Sequence, residues 1–177
     1  VFNCKGESRP GVYSELGDVE MGIGNMDEDA DYEIANGSAT GTSNVGQWGG
    51  ATEFSFHNYG FAVRELIMAD VAGDAPDELL VASETGYAYV LGAGGEVIAQ
   101  LDFGEVVTDL GLLPLGDARQ LVAASIADGR VYTLDGALQP VAAWKADGEV
   151  SMVQAVRTAE GVRLLAVTRD AVVCLEP

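Results

Sequence analysis

Lysine is nearly absent. Lys5 and Lys145 are the only two, and with seven arginines they make 9 basic side chains against 28 acidic ones, a formal net charge of −19. That balance excludes a nucleic-acid partner, because phosphate binding needs clustered Lys and Arg, and it disfavours anionic membranes for the same reason. His57 is the only histidine, which rules out a two-histidine metal site; a lone His on a strand is structural by default. Only two cysteines occur, Cys4 and Cys174, without metal-type spacing. They read either as a disulfide joining the two ends, and hence an exported protein, or as two unrelated thiols. No apolar run approaches the roughly 18–20 residues that span a bilayer, and no charged-then-apolar signal segment opens the chain. The expectation is a soluble protein without membrane insertion, and an opening Val1 suggests a processed or excised form. No nucleophile-elbow sequence and no Cys-His neighbourhood is present, so nucleophilic catalysis has no visible carrier.

What is abundant is acid, and its placement is repetitive. Asn25 to Glu33 reads NMDEDADYE, with oxygen-bearing side chains at alternate positions between two apolar runs. Asp70 to Glu78, DVAGDAPDE, repeats the frame 45 residues later, Asp74 matching Asp29 and Glu78 matching Glu33. The turn at Asp128-Gly129 follows the one at Thr85-Gly86 by 43 residues. Repeats of 40 to 50 residues are the mark of propeller blades or another repeat array. The acidity itself reads as a solvated surface, as calcium binding or as adaptation to high salt.

Short β-rich runs with Gly turns every 8–12 residues and no sustained helical period predict an all-β chain. The second unit is the clearest, with strands over Val63 to Ala69, Glu78 to Ser83, Tyr87 to Leu91 and Glu96 to Phe103. The third gives Val106 to Leu115, Gln120 to Ile126, Arg130 to Leu134 and Pro140 to Lys145. The fourth gives Val150 to Arg157, Val162 to Thr168 and Ala171 to Leu175, and lacks a fourth strand. In the first unit Tyr32 to Ala35 reads as a strand, Asn36-Gly37 and Thr40-Gly41 as turns, and 41–50 as irregular. The expectation is a single domain over 1–177, a small β-propeller of about four blades of four antiparallel strands. Its units are 18–61, 62–104, 105–148 and 149–177, with Val1 to Lys5 supplying the last strand and bringing Cys4 beside Cys174.

At NMDEDADYEIANG and DVAGDAPDELLVA the chain resembles the calcium-binding FG-GAP and VCBS repeats, whose loop runs Asp-x-Asp/Asn-x-Asp-Gly-x-x-Asp before a hydrophobic strand. TGYAYVLGAGGEVIAQL and DGRVYTLDGALQPVAAW resemble the blade strands of quinoprotein-like propellers, a likeness of fold that brings no enzyme with it. The first resemblance implies calcium as cofactor. Asn25, Asp27 and Asp29 fall at the first, third and fifth loop places, Asp31 offers a carbonyl at the seventh, and Glu33 stands where the family has Asp at the ninth. The second loop keeps Asp70, Asp74, the Pro76 carbonyl and Glu78, but Ala72 removes a ligand, so weaker binding is expected there.

Trp48, Phe54, Phe56, Tyr59 and Phe61 form the densest aromatic stretch. Alternation sends about half of such a strand inward, which leaves Trp48 and Tyr59 as candidate ligand-binding residues. Asn36-Gly37-Ser38 is a glycosylation sequon as well as a turn signal. Together these features predict a non-catalytic, extracellular or cell-surface, calcium-supported module. It would bind protein or carbohydrate, or self-assemble. The alternatives are a propeller enzyme, such as a polysaccharide lyase or hydrolase with channel carboxylates, and a portion of a seven- or eight-bladed ring.

Overall fold

The computed structural model describes residues 18–27, 29–47, 50–73, 75–114 and 120–175. Fifteen strands and no helix occur among them, and no helix is long and apolar enough to cross a membrane. The first sheet holds β1 (Asp18–Gly24), β2 (Glu33–Ser38), β3 (Thr42–Gln47) and β4 (Thr52–His57). The second holds β5 (Val63–Ala69), β6 (Glu78–Ser83), β7 (Tyr87–Leu91) and β8 (Val97–Asp102). The third holds β9 (Val107–Pro114), β10 (Gln120–Ile126), β11 (Arg130–Leu134) and β12 (Pro140–Lys145). β13 (Val150–Thr158), β14 (Gly161–Thr168) and β15 (Val172–Leu175) make the fourth. Every sheet is an antiparallel meander in chain order.

The sheets stack face to face, and three apolar clusters fill the three junctions. β6 shows why its sequence, ELLVAS, does not alternate. Leu79 and Val81 enter the cluster shared with the first sheet, while Leu80 and Ala82 enter the one shared with the third. A strand buried on both faces reads as a continuous apolar run. The last strands β4, β8 and β12 share one half-exposed rhythm and form the rim. The first strands pack in succession, β1 on β5, β5 on β9 and β9 on β13.

Gly41, Gly86 and Gly129 close the turn between second and third strands with φ of 84°, 92° and 93°. Each carbonyl accepts an amide from just beyond the rim strand, that of Asn58, Phe103 or Ala146. This tie repeats three times and holds the end of each sheet to its own hairpin.

Two local expectations need correction. Asn36-Gly37 is not a turn but the end of β2, in register with Met21 and Asn44 through Asn36. Gly37 is there for close approach, since a Cβ would meet Val63 Cγ1 at 2.6 Å. Asn36 is 3% exposed, so the sequon is closed to a glycan. The stretch read as irregular contains β3, whose small polar residues TSNVGQ are held by β2 and β4 on either side. Cys174 on β15 is an exposed free thiol among the described residues; Cys4, the expected bond to it and the closing strand Val1 to Lys5 lie outside them.

Candidate functional site

The acidic loop between β1 and β2 is anchored from below. Met26 is buried in the cluster between the first two sheets. Glu33, 0% exposed at the start of β2, accepts the Met26 amide on Oε2 at 2.6 Å. Above that anchor the loop winds on its own carboxylates. The Asp29 amide donates to Asp27 Oδ1 at 3.1 Å and the Asp31 amide to Asp29 Oδ1 at 2.6 Å. Asn25 Nδ2 donates to the Asp29 carbonyl at 2.8 Å, and Gln47 Nε2 from β3 to Asp29 Oδ2 at 3.0 Å.

Asp27, Asp29 and Glu33 converge, each offering an oxygen within 4.8 Å of the others. Glu33 Oε1 is buried and has no hydrogen-bond partner. A buried acceptor left unpaired is costly, and a cation between the three carboxylates would satisfy it. Burial first, and then the charges of Asp27, Glu53 and Asp29, hold the Glu33 carboxyl above its usual range, against the Met26 amide that lowers it. Glu53 on β4 is raised by burial and by the same two aspartates. It is a member of this acidic neighbourhood that no loop spacing could reveal. The Asp31 side chain is not among the three that converge.

The second loop is built differently. Glu78 accepts the Val71 and Ala72 amides on Oε2 at 2.9 and 3.2 Å, repeating the staple that Glu33 makes. Asp70 caps the Gly73 amide at 2.6 Å and the Ala75 amide at 3.4 Å, ahead of Pro76. Asp74 lies outside the described residues, and no cluster of three carboxylates forms among the described residues of this loop. The two loops are joined. Asp77 accepts the Asn25 amide on Oδ2 and donates its own amide to the Asn25 carbonyl, both at 2.9 Å.

A second concavity, of about 370 Å³, opens between the rims of the first two sheets and is lined by Phe56, His57, Tyr59, Tyr87, Tyr89, Val97 and Gln100. Tyr59 sits in the tight turn between β4 and β5 with φ of 47°, followed by Gly60 at 81°, and the Phe61 amide closes on Asn58. Two successive positive φ values are the type I′ geometry, and that strained turn holds Tyr59 out at 86% exposure. Tyr87 stacks on Tyr89 at 5.8 Å, and Phe56 meets Tyr89 edge-on at 4.9 Å. Asp102, opposite Tyr87 in the β7–β8 register, raises the Tyr87 phenol by its charge and by a hydrogen bond. Sequence reasoning identified Tyr59 and missed Tyr87 and Tyr89, which come from the next unit; Trp48 lies outside the described residues.

The inner strands carry a third feature. Glu20 on β1, Glu65 on β5 and Asp109 on β9 face one another along three successive sheets, and burial with its neighbours Glu20 and Asp109 pushes Glu65 up to about 7. Asp109 also accepts the Val153 amide of β13 at 2.7 Å, tying the fourth sheet to the third.

No family model and no curated protein matches the chain. Solved structures do. A crystal structure of BBS1N in complex with ARL6DN, soaked with lead, superposes with a TM-score of 0.75 at 12% identity, over 92% of this chain and 51% of that one. The mercury-soaked form gives 0.71 at 14%, over 86% and 45%. The fold is a β-propeller. The computationally designed Ika8 protein is also similar, with a TM-score of 0.62 at 17% identity over 86% of this chain and 44% of that one. This propeller chain therefore spans about half the length of the structures it matches, and the likeness is one of fold alone. In propeller terms the acidic loops join first to second strands, and the aromatic concavity lies at the rim between the first and second blades.

Proposed function

We propose that this chain is a non-catalytic, protein-binding propeller module whose first acidic loop is held by calcium, in an extracellular or cell-surface setting. The observation that carries the reading is the convergence of the Asp27, Asp29 and Glu33 carboxylates, together with the buried Glu33 Oε1 that has no hydrogen-bond partner. Three carboxylates with loop carbonyls and water make an oxygen set of the kind calcium takes, and extracellular calcium modules work with dissociation constants of roughly 10⁻⁴–10⁻³ M. The aromatic cleft at the blade rim supplies a surface for a partner. The similarity to BBS1N, a propeller in complex with ARL6DN, supports a protein ligand over a carbohydrate.

Calorimetric titration with calcium tests the metal, a heat of binding that disappears in Asp27→Ala being the supporting result. NMR titration with a flexible peptide and with a neutral hexasaccharide tests the ligand class. Shifts at Tyr59, Tyr87 and Gln100 with the peptide support protein binding; shifts with the sugar alone overturn it.

A second reading, that the four blades are a portion of a larger ring, is favoured by the inner strands. They pack in succession from β1 to β13, and among the described residues no contact of like extent links β13 back to β1. The mass of the native particle separates the two. A value near 18.4 kDa supports a four-bladed unit, and a longer chain or a multiple supports the larger ring.

A further inference from the structure

Resting on the protein-binding reading above, we infer that the cleft between the first two blades receives a cationic side chain, an arginine or lysine, of the partner protein. The protein carries its own precedent one blade along. The turns Thr85-Gly86 and Asp128-Gly129 are equivalent, with glycine φ of 92° and 93°, so Tyr87 corresponds to Arg130 and Tyr89 to Tyr132. In the third blade the Arg130 guanidinium lies 5.8 Å from the centre of the Tyr132 ring and donates to the Tyr132 hydroxyl at 3.0 Å. It pairs with Asp128 at 2.7 Å and reaches back across the junction to the Phe103 carbonyl of the second blade, also at 2.7 Å. A cation seated on an aromatic ring, with a carboxylate beside it, thus bridges the second and third blades.

At the junction of the first and second blades Phe56, Tyr59, Tyr87 and Tyr89 line the seat, and among the described residues no lysine or arginine lines it. Tyr89 keeps the position of Tyr132, Phe56 packs against it, and Tyr87 replaces the arginine with another ring. Tyr59 stands out beside them. A carboxylate is present here as well, since Asp102 hydrogen-bonds the Tyr87 phenol. Tyrosine rings present negative faces to a cation, and the contact gains strength as it is desolvated. A net charge of −19 draws basic partners toward the molecule as a whole. A neutral sugar could stack on the rings, but only a cation gains from both the ring faces and the Asp102 carboxylate, which accepts the Gly104 amide at 2.8 Å and borders the cleft beside Tyr87.

The test is an NMR titration of the whole chain with the tripeptide acetyl-Gly-Arg-Gly-amide and its citrulline counterpart, which keeps the shape and removes the charge. The arginine peptide is expected to shift Tyr59, Tyr87 and Gln100, with citrulline binding about tenfold weaker. Tyr59→Ala and Asp102→Asn each weaken the arginine peptide by roughly three- to tenfold. Tyr87→Arg places the cation in the cleft as the third blade does, and abolishes binding. Tyr59 is exposed, so its variant reports on the cleft without disturbing the fold. Equal binding of the two peptides overturns the cation while leaving protein binding intact. Absence of shifts with either peptide up to about 10 mM, with the hexasaccharide moving the same resonances, overturns both readings. Unchanged affinity in all three variants places the peptide elsewhere and overturns the inference.

Discussion

Glu65 on β5 is hydrogen-bonded through its carboxyl to Asp109 on β9, across the junction of the second and third blades. Burial raises both groups, and the bond is kept only while one of them holds a proton. The pair also steers the next blade, because Asp109 accepts the Val153 amide of β13.

This pair sets a pH dependence with a definite sign. Glu65 holds its proton up to about 7 in the folded protein, against a reference of 4.5 when exposed. Across that window the folded state binds more protons than the unfolded state, so stability falls as pH rises from about 4.5 to about 7 and levels off above. Glu65→Gln removes the titration and keeps a donor toward Asp109. With the shift discounted for partial solvent exposure, the variant should be more stable than the parent by about 1 kcal/mol at pH 8, a difference that vanishes by pH 4. Urea unfolding at the two pH values checks it; a parent whose midpoint rises between pH 5 and 8 would show that the carboxyl is charged at no cost.

Calcium should raise the melting temperature. A site occupied at a hundredfold excess over its Kd stabilises by about 2.7 kcal/mol, roughly 5–10 °C for a chain of this size. Chelation removes that gain, and Asp27→Ala or Asp29→Ala abolishes the response. Asp70→Ala leaves most of it, because its carboxylate is committed to the Gly73 and Ala75 amides. Glu33→Ala behaves differently again. It strands the buried Met26 amide and costs about 1–3 kcal/mol with or without calcium. Scanning calorimetry with and without chelator separates these three behaviours.

Glycine substitutions separate backbone strain from crowding. Gly104 has φ of 74° with nothing near a new Cβ, whereas at Gly129, with φ of 93°, that atom would meet the Gly148 carbonyl oxygen at 2.2 Å. Gly104→Ala should cost about 1–2 kcal/mol from φ alone. Gly129→Ala adds the displacement of the adjoining backbone and should cost at least about 3 kcal/mol, taking the Ala146 tie with it. Equal losses in chemical denaturation would place the whole effect in φ.

Cys174 should react with iodoacetamide in the native, unreduced protein, since its thiol is free and exposed. Mass analysis of the C-terminal peptide reads the label. An unlabelled Cys174 recovered in a peptide pair with Cys4 would restore the disulfide.

Strand positions were legible because they depend on neighbours in sequence. Gln120–Ile126, Arg130–Leu134 and Pro140–Lys145 form the strands their alternation and flanking turns predict. The three carboxylates Asp27, Asp29 and Glu33 were likewise visible, lying within seven residues of one another. Asn36-Gly37 misled, because a dipeptide that favours a turn also serves where β5 needs room for Val63.

The sequence by itself determined an all-β chain of four repeating sheets and an acid-rich first loop, since period-two alternation, turn glycines and charge crowding are local properties of the backbone and its side chains. Only the tertiary structure decided which of those side chains meet. Strand pairing within the first blade brings Glu53 to the first loop, and blade stacking ties Asp77 to Asn25, sets Glu65 against Asp109 and gathers Tyr59, Tyr87 and Tyr89 into one cleft. It also decided that the Arg130 guanidinium turns back to the Phe103 carbonyl of the second blade, while Tyr87 at the equivalent position stacks on Tyr89. The partners joined across blades lie 27 to 52 residues apart, and their proximity depends on how one sheet packs its face on the next, which no local pattern encodes.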